Sequence, residues 1–210
     1  MKSMLENNNS VSKFHIFLLA SLLLVLIWSA IKPHDYFTWF LEVLPALLAV
    51  AIFAFTFKKF RFTDLVYTIV WFHCIVLMVG AKYTYAEVPL FDYFKEVFGL
   101  ARNNYDKVGH FMQGFSPALI AREVFIRKQV VNGKRWIFFM AVAVPLAFSA
   151  FYELVEWWVA VATGDSAEAF LGTQGYQWDT QTDMFMCFIG SILALILLSG
   201  WQDRQMKNVN

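Results

Sequence analysis

The chain has 210 residues, of which 59% are hydrophobic, 19% aromatic and only 16% charged, with a formal net charge of +1. This excludes an ordinary water-soluble domain, in which about a quarter of the residues carry charge, and leaves no basic surface for nucleic acid. The two cysteines, Cys74 and Cys187, sit in apolar runs with no zinc-ribbon or CxxC spacing, so both read as apolar packing residues.

Six apolar segments approach the roughly 20 helical residues that cross a hydrocarbon core about 30 Å thick. They predict an all-α polytopic membrane bundle with spans at about 14–32, 36–57, 64–82, 104–124, 136–161 and 178–200. Residues 1–13 precede them as a tail. The first span, apolar from Phe17 to Trp28, lacks a small-x-small cleavage site and reads as a retained helix rather than a signal peptide. His73, near the middle of the third span, is expected to make a packing contact or a local hydrogen bond. Leu90, Phe91, Phe94, Val97 and Phe98 then recur at helical spacing, which predicts a short helix lying in the membrane interface.

The fourth span is the weakest, because its apolar part runs only from Val108 to Ala121 and contains His110, Gln113 and Pro117. Such a helix survives in lipid if its polar face looks into the bundle. Residues 201–210 form a C-terminal tail, so 14–200 reads as a single membrane domain without repeats or low-complexity segments. Twelve Lys and Arg residues fall in the tails and in the second–third and fourth–fifth loops, against five on the other side. The positive-inside rule therefore places both termini in the cytoplasm.

Three polar pairs stand out against this background: Asp106 with His110, Glu153 with Glu156, and Asp179 with Asp183. Spacings of three and four put each pair on one helix face, and alternation of the spans brings all three to one depth near the outer surface. Asp106 and Asp179 are well placed to cap helix N-termini. Glu153 and Glu156 lie near a helix C-terminus, the wrong end for anions, beside Trp157 and Trp158. Two like charges about 6 Å apart repel by roughly 3 kcal/mol at an effective dielectric near 20. A cluster of five carboxylates therefore takes up protons or binds a cation.

Carboxylates with one imidazole suit a divalent metal without identifying it. Asp106, His110, Glu153, Glu156, Asp179 and Asp183 are the candidate ligands. In an enzyme, Glu153, Glu156 and His110 would serve as bases beside such a metal, and Lys107 would stabilise negative charge on a lipid or phosphate substrate. Binding or transport of a cation or protonated solute, and a purely structural role, are the alternatives. The loop between the last two spans adds Asp165, Glu168, Gly172, Thr173, Gln174, Gly175 and Gln177, read as a turn-rich connection.

The segments Asp106-Lys-Val-Gly-His110-Phe111, Tyr152-Glu153-Leu-Val-Glu156-Trp157 and Phe170-Leu-Gly-Thr-Gln-Gly-Tyr-Gln-Trp-Asp179-Thr-Gln-Thr-Asp183 resemble the YjdF-like family of bacterial inner-membrane proteins. The resemblance covers nearly the whole chain and implies a polytopic inner-membrane location without an established activity. A more distant likeness is to VanZ-like membrane proteins, on Asp106, Lys107, His110, Phe111, Glu153, Asp183 and Gly190. That likeness implies a role connected with the cell envelope. This chain departs from the VanZ-like pattern by carrying Glu156-Trp157 and the long Gly-Thr-Gln-Gly loop.

Overall fold

A computed structural model describes residues 11–163 and 173–209. Most of the N-terminal tail, Asn210 and the loop residues Asp165, Glu168 and Gly172 lie outside the described residues. Among those described, seven α-helices follow one another: α1 (Lys13–Ala30), α2 (Tyr36–Thr56), α3 (Asp64–Tyr83), α4 (Pro89–Phe98), α5 (Tyr105–Arg127), α6 (Lys134–Thr163) and α7 (Asp179–Met206). The six expected spans fall on α1, α2, α3, α5, α6 and α7, and the interfacial segment on α4. No strand occurs among the described residues.

Helices α1, α2, α3, α6 and α7 are each long and apolar enough to cross a membrane. Their outward surfaces match that role: Leu24, Phe55, Phe148, Val161 and Ile196 are all more than 60% exposed. In water such surfaces would aggregate, whereas in lipid they meet acyl chains. With no hydrophobic drive between helices in lipid, close packing has to hold the bundle together.

The fifth helix carries the polar load. It spans 23 residues, about 34 Å at 1.5 Å per residue, yet it is too polar to rank with the other five. Packing against α3, α6 and α7 covers it, so Asp106, His110, Ser116 and Glu123 are all buried. Its approach to α7 depends on two glycines. A Cβ at Gly114 would collide with the backbone carbonyl of Cys187, and one at Gly190 with that of Phe111. Cys187 and Cys74 are buried free thiols.

Polar contacts tie both ends of the bundle. At one end Glu123, fully buried, accepts from the Thr63 amide and hydroxyl at 2.9 and 2.8 Å, from Arg127 at 2.8 Å and from Gln202 at 3.3 Å. This joins the loop before α3 to the last turns of α5 and α7. At the other end Gln174 brackets the backbone of Asn103, its Oε1 accepting from the amide at 3.0 Å and its Nε2 donating to the carbonyl at 2.9 Å. The Asn103 side chain donates to the Val88 carbonyl and to Asp92 on α4. Gln174, expected in an ordinary turn, is thus a tertiary clamp beside the starts of α5 and α7.

Candidate functional site

His110 is the centre of the polar cluster. Its Nε2 lies 3.3 Å from Asp106 Oδ1 and 3.9 Å from Asp183 Oδ2. Nδ1 lies 3.0 Å from Gln113 Oε1 and 3.8 Å from Glu153 Oε1. The side-chain oxygen of Gln113 can only accept, so Nδ1 carries the proton in that bond. Nε2 then faces two carboxylates that can only accept when ionised, and the three groups need a proton or a metal ion between them. One ligand atom each from Asp106, His110 and Asp183 lie within 4.8 Å of one another. Asp183 Oδ1 and Glu153 Oε1 are buried without a hydrogen-bond partner among the described protein atoms.

A basic residue that entered the sequence reading only through the charge count completes this side. Arg102 pairs with Asp179 and with Asp106 Oδ2, the latter at 3.5 Å, and donates to the Thr173 carbonyl. Their places at the starts of α5 and α7 predict Asp106 and Asp179 as N-terminal acids that cap amides and oppose the helix dipole, and both do lie in the first turn. The N-cap positions are instead Asn104 and Trp178, neither with a side-chain cap bond, and Arg102 takes up both carboxylates. Its guanidinium lies over the Tyr176 ring, and the ammonium of Lys107 lies 5.7 Å from the same ring. Lys107 thus faces Tyr176 at the rim.

The other flank of His110 opens on a cavity of about 90 Å³ lined by Glu42, Pro45, His73, Leu77, Tyr85, Asp106, Gly109, His110, Gln113, Tyr152 and Glu156. Of the six candidate ligands, Asp106, His110 and Glu156 line this space. Glu153 and Asp183 reach His110 without lining it, and Asp179 is joined through Arg102. Glu42 is 3% exposed and its Oε2 has no hydrogen-bond partner among the described protein atoms. It was legible as a lone carboxylate inside an apolar span, the signal that marks a functional candidate in lipid. His73 lines the same cavity, bonds Ser116 through Nδ1 at 2.9 Å, and has a buried Nε2 without a partner among the described protein atoms.

Local sequence explains how the cavity wall is built. The Tyr85 ring fits over two glycines: a Cβ at Gly80 would come within 2.6 Å of its Cε2, and one at Gly109 within 2.8 Å of its Cε1. Gly109 in the Asp106–His110 segment therefore makes room for an aromatic wall. Thr84, with φ +53, turns the chain so that Tyr85 can enter. Tyr85 lies outside the spans, and burial pushes its phenol well above the ordinary range, so it enters the cavity wall as a neutral hydroxyl.

Comparison with known proteins gives one consistent picture. The family described as Predicted membrane protein (DUF2238) matches residues 14–204. The chain is 46% identical to Inner membrane protein YjdF of Escherichia coli (strain K12) over 187 residues, covering 89% of this chain and 90% of that protein. No solved structure matches.

Proposed function

This chain belongs to the DUF2238 family of predicted membrane proteins and is a multi-pass inner-membrane protein, and we propose that its buried acidic–histidine site faces outward, holds a divalent metal ion and acts on an envelope lipid or related substrate. The observation that carries this reading is the convergence of Asp106, His110 and Asp183 ligand atoms within 4.8 Å, beside buried carboxylate oxygens that lack partners. Hydrogen bonding at Nδ1 by Gln113 orients a ligating imidazole in the way that metal-bound histidines require.

In this reading Asp106, His110 and Asp183 are ligands, and Glu153 and Glu156 are the bases on either flank. Asp179 acts through Arg102, which holds Asp106 in place. A bound metal supplies a polarised water or substrate oxygen. Lys107, at the rim over Tyr176, meets negative charge on an amphiphilic substrate that reaches the site from the membrane surface.

Elemental analysis of protein purified without chelator tests the site. A stoichiometric divalent metal is expected in the native chain, and its loss in Glu153→Gln/Asp183→Asn. Native protein that arrives metal-free and fails to bind added zinc, manganese or iron would leave a shared-proton cluster as the better account.

Orientation has its own test. The excess of basic residues in the tails and two loops supports an outward-facing site with both termini in the cytoplasm. Alkaline phosphatase fused after Ala167 should be active, and fused after Asn132 inactive. The reverse pattern overturns the outward-facing site, and two like results remove a span.

A second reading, binding of a cation or protonated solute, is favoured by the cavity itself. Among the described residues its lining contains Glu42, Asp106 and Glu156 and no Lys or Arg.

A further inference from the structure

We propose that the cavity beside His110 is a recognition pocket for a small primary ammonium group, with Glu42 and Glu156 as its anionic walls. The inference rests on the metal reading for where the charges of Asp106 and Asp183 go, and it names the class of ligand that the same site accepts.

Charge comes first. Three carboxylates line the cavity, and among the described residues neither Arg nor Lys does. Arg102 is committed to Asp106, Asp179 and the Thr173 carbonyl, and Lys107 lies against Tyr176. An anionic group entering this space would meet the carboxylates of Glu42, Asp106 and Glu156 with no Lys or Arg among the described lining residues to offset them, so phosphate recognition belongs with Lys107. Once a metal neutralises Asp106, the carboxylates left to balance are Glu42 and Glu156. Glu42 is the more telling, because it is only 3% exposed and presents an oxygen without a partner among the described protein atoms. The Tyr85 backbone hydrogen-bonds this carboxylate but leaves Oε2 unmatched, and a buried carboxylate is costly enough that it is normally matched by a cation or further donors.

The remaining walls select among cations. Pro45 and Leu77 are apolar, and Tyr85 and Tyr152 add aromatic surface. A bare inorganic ion gains little from such walls, whereas an ammonium on a short alkyl stem places its N–H donors on the carboxylates and its carbons on the rest. His73 Nε2, buried and without a partner among the described protein atoms, offers one further polar contact. A volume of about 90 Å³ holds several water-sized groups, enough for a primary ammonium with a short stem, and a quaternary ammonium, which has no N–H to donate, would leave the Glu42 oxygen without a partner.

Calorimetric titration of the full chain in nanodiscs of choline phospholipid, with ethylammonium chloride as the probe, tests this. Saturable binding is expected, at least ten-fold weaker for tetramethylammonium and for Glu42→Gln or Glu156→Gln. Adding ethanolamine phospholipid to the nanodiscs distinguishes the source. Competition with the probe identifies a lipid headgroup as the natural ligand, and unchanged binding identifies a soluble amine. No saturable binding, equal displacement by sodium, or wild-type affinity in both Glu variants would overturn the proposal. Metal content measured on the same samples separates the two readings. Glu42→Gln should keep its metal while losing the amine, and amine binding by protein that neither carries nor takes up a divalent metal would sink the metal reading alone.

Discussion

Gly114→Ala is expected to destabilise the folded bundle strongly, although it adds a single methyl group. The new Cβ would overlap the backbone carbonyl of Cys187, and backbone inside a helix cannot rotate aside as a side chain can. Overpacking in a well-packed core typically costs about 1–3 kcal/mol, and a clash with backbone belongs at or beyond the upper end. The effect also reaches the site. Gly114 lies one turn beyond His110 on α5, and Cys187 one turn beyond Asp183 on α7, so the glycine contact sets the 3.9 Å separation of His110 from Asp183. Gly200, also on α7, is the contrasting position, where an added Cβ would meet nothing within 4 Å. Gly200→Ala should be neutral or gain about 0.5–1 kcal/mol from helix propensity. Thermal unfolding and size-exclusion profiles in detergent compare the two. A monodisperse Gly114→Ala protein melting with the wild type would refute the close α5–α7 contact.

The second large effect is expected at the opposite end of the bundle. Glu123→Ala removes one fully buried carboxylate that accepts from Thr63 twice, from Arg127 and from Gln202. Breaking a buried charged pair by deleting one partner costs about 3–5 kcal/mol, because the remaining groups keep their desolvation penalty. Asp203→Ala makes the comparison. Asp203 pairs with Arg122 at 2.6 Å, but its side chain is 52% exposed, and exposed pairs contribute about 0–1 kcal/mol. The melting temperature should therefore fall sharply in Glu123→Ala and barely in Asp203→Ala. Equal shifts would mean that the end of α5 is not anchored by this carboxylate. Metal binding should survive in whatever folded fraction of Glu123→Ala remains, since the clasp and the His110 cluster share no residue.

Much of the architecture was legible in the sequence because lipid enforces a simple rule. Every backbone N–H and C=O inside a bilayer must be satisfied within the segment, so an apolar run of the right length becomes a helix whatever its neighbours do. The run from Phe17 to Trp28 and the spacing of Leu90, Phe94 and Phe98 were enough to place α1 and α4. The pairs Asp106–His110, Glu153–Glu156 and Asp179–Asp183 could be recognised for a related reason. Helical spacing is local, and a charge in an apolar span stands out without knowledge of its partner.

What surrounds those pairs depended on tertiary packing. Arg102 looks in sequence like one more basic residue in a loop, and only the meeting of that loop with the start of α7 sets it between Asp106 and Asp179. Glu42 is 64 residues from Asp106 by their numbers, and Tyr85 enters the cavity only because Gly80 and Gly109 leave room for its ring. Likewise Asp179 reads as a helix cap until a guanidinium is brought against it. The sequence by itself determined helices, their faces and which of them carry charge, since those follow from backbone hydrogen bonding and residue spacing. Which charges meet, and which face the cavity, was decided by the direction and separation of α5 and α7, because electrostatic pairing acts through a few ångströms of space rather than along the chain.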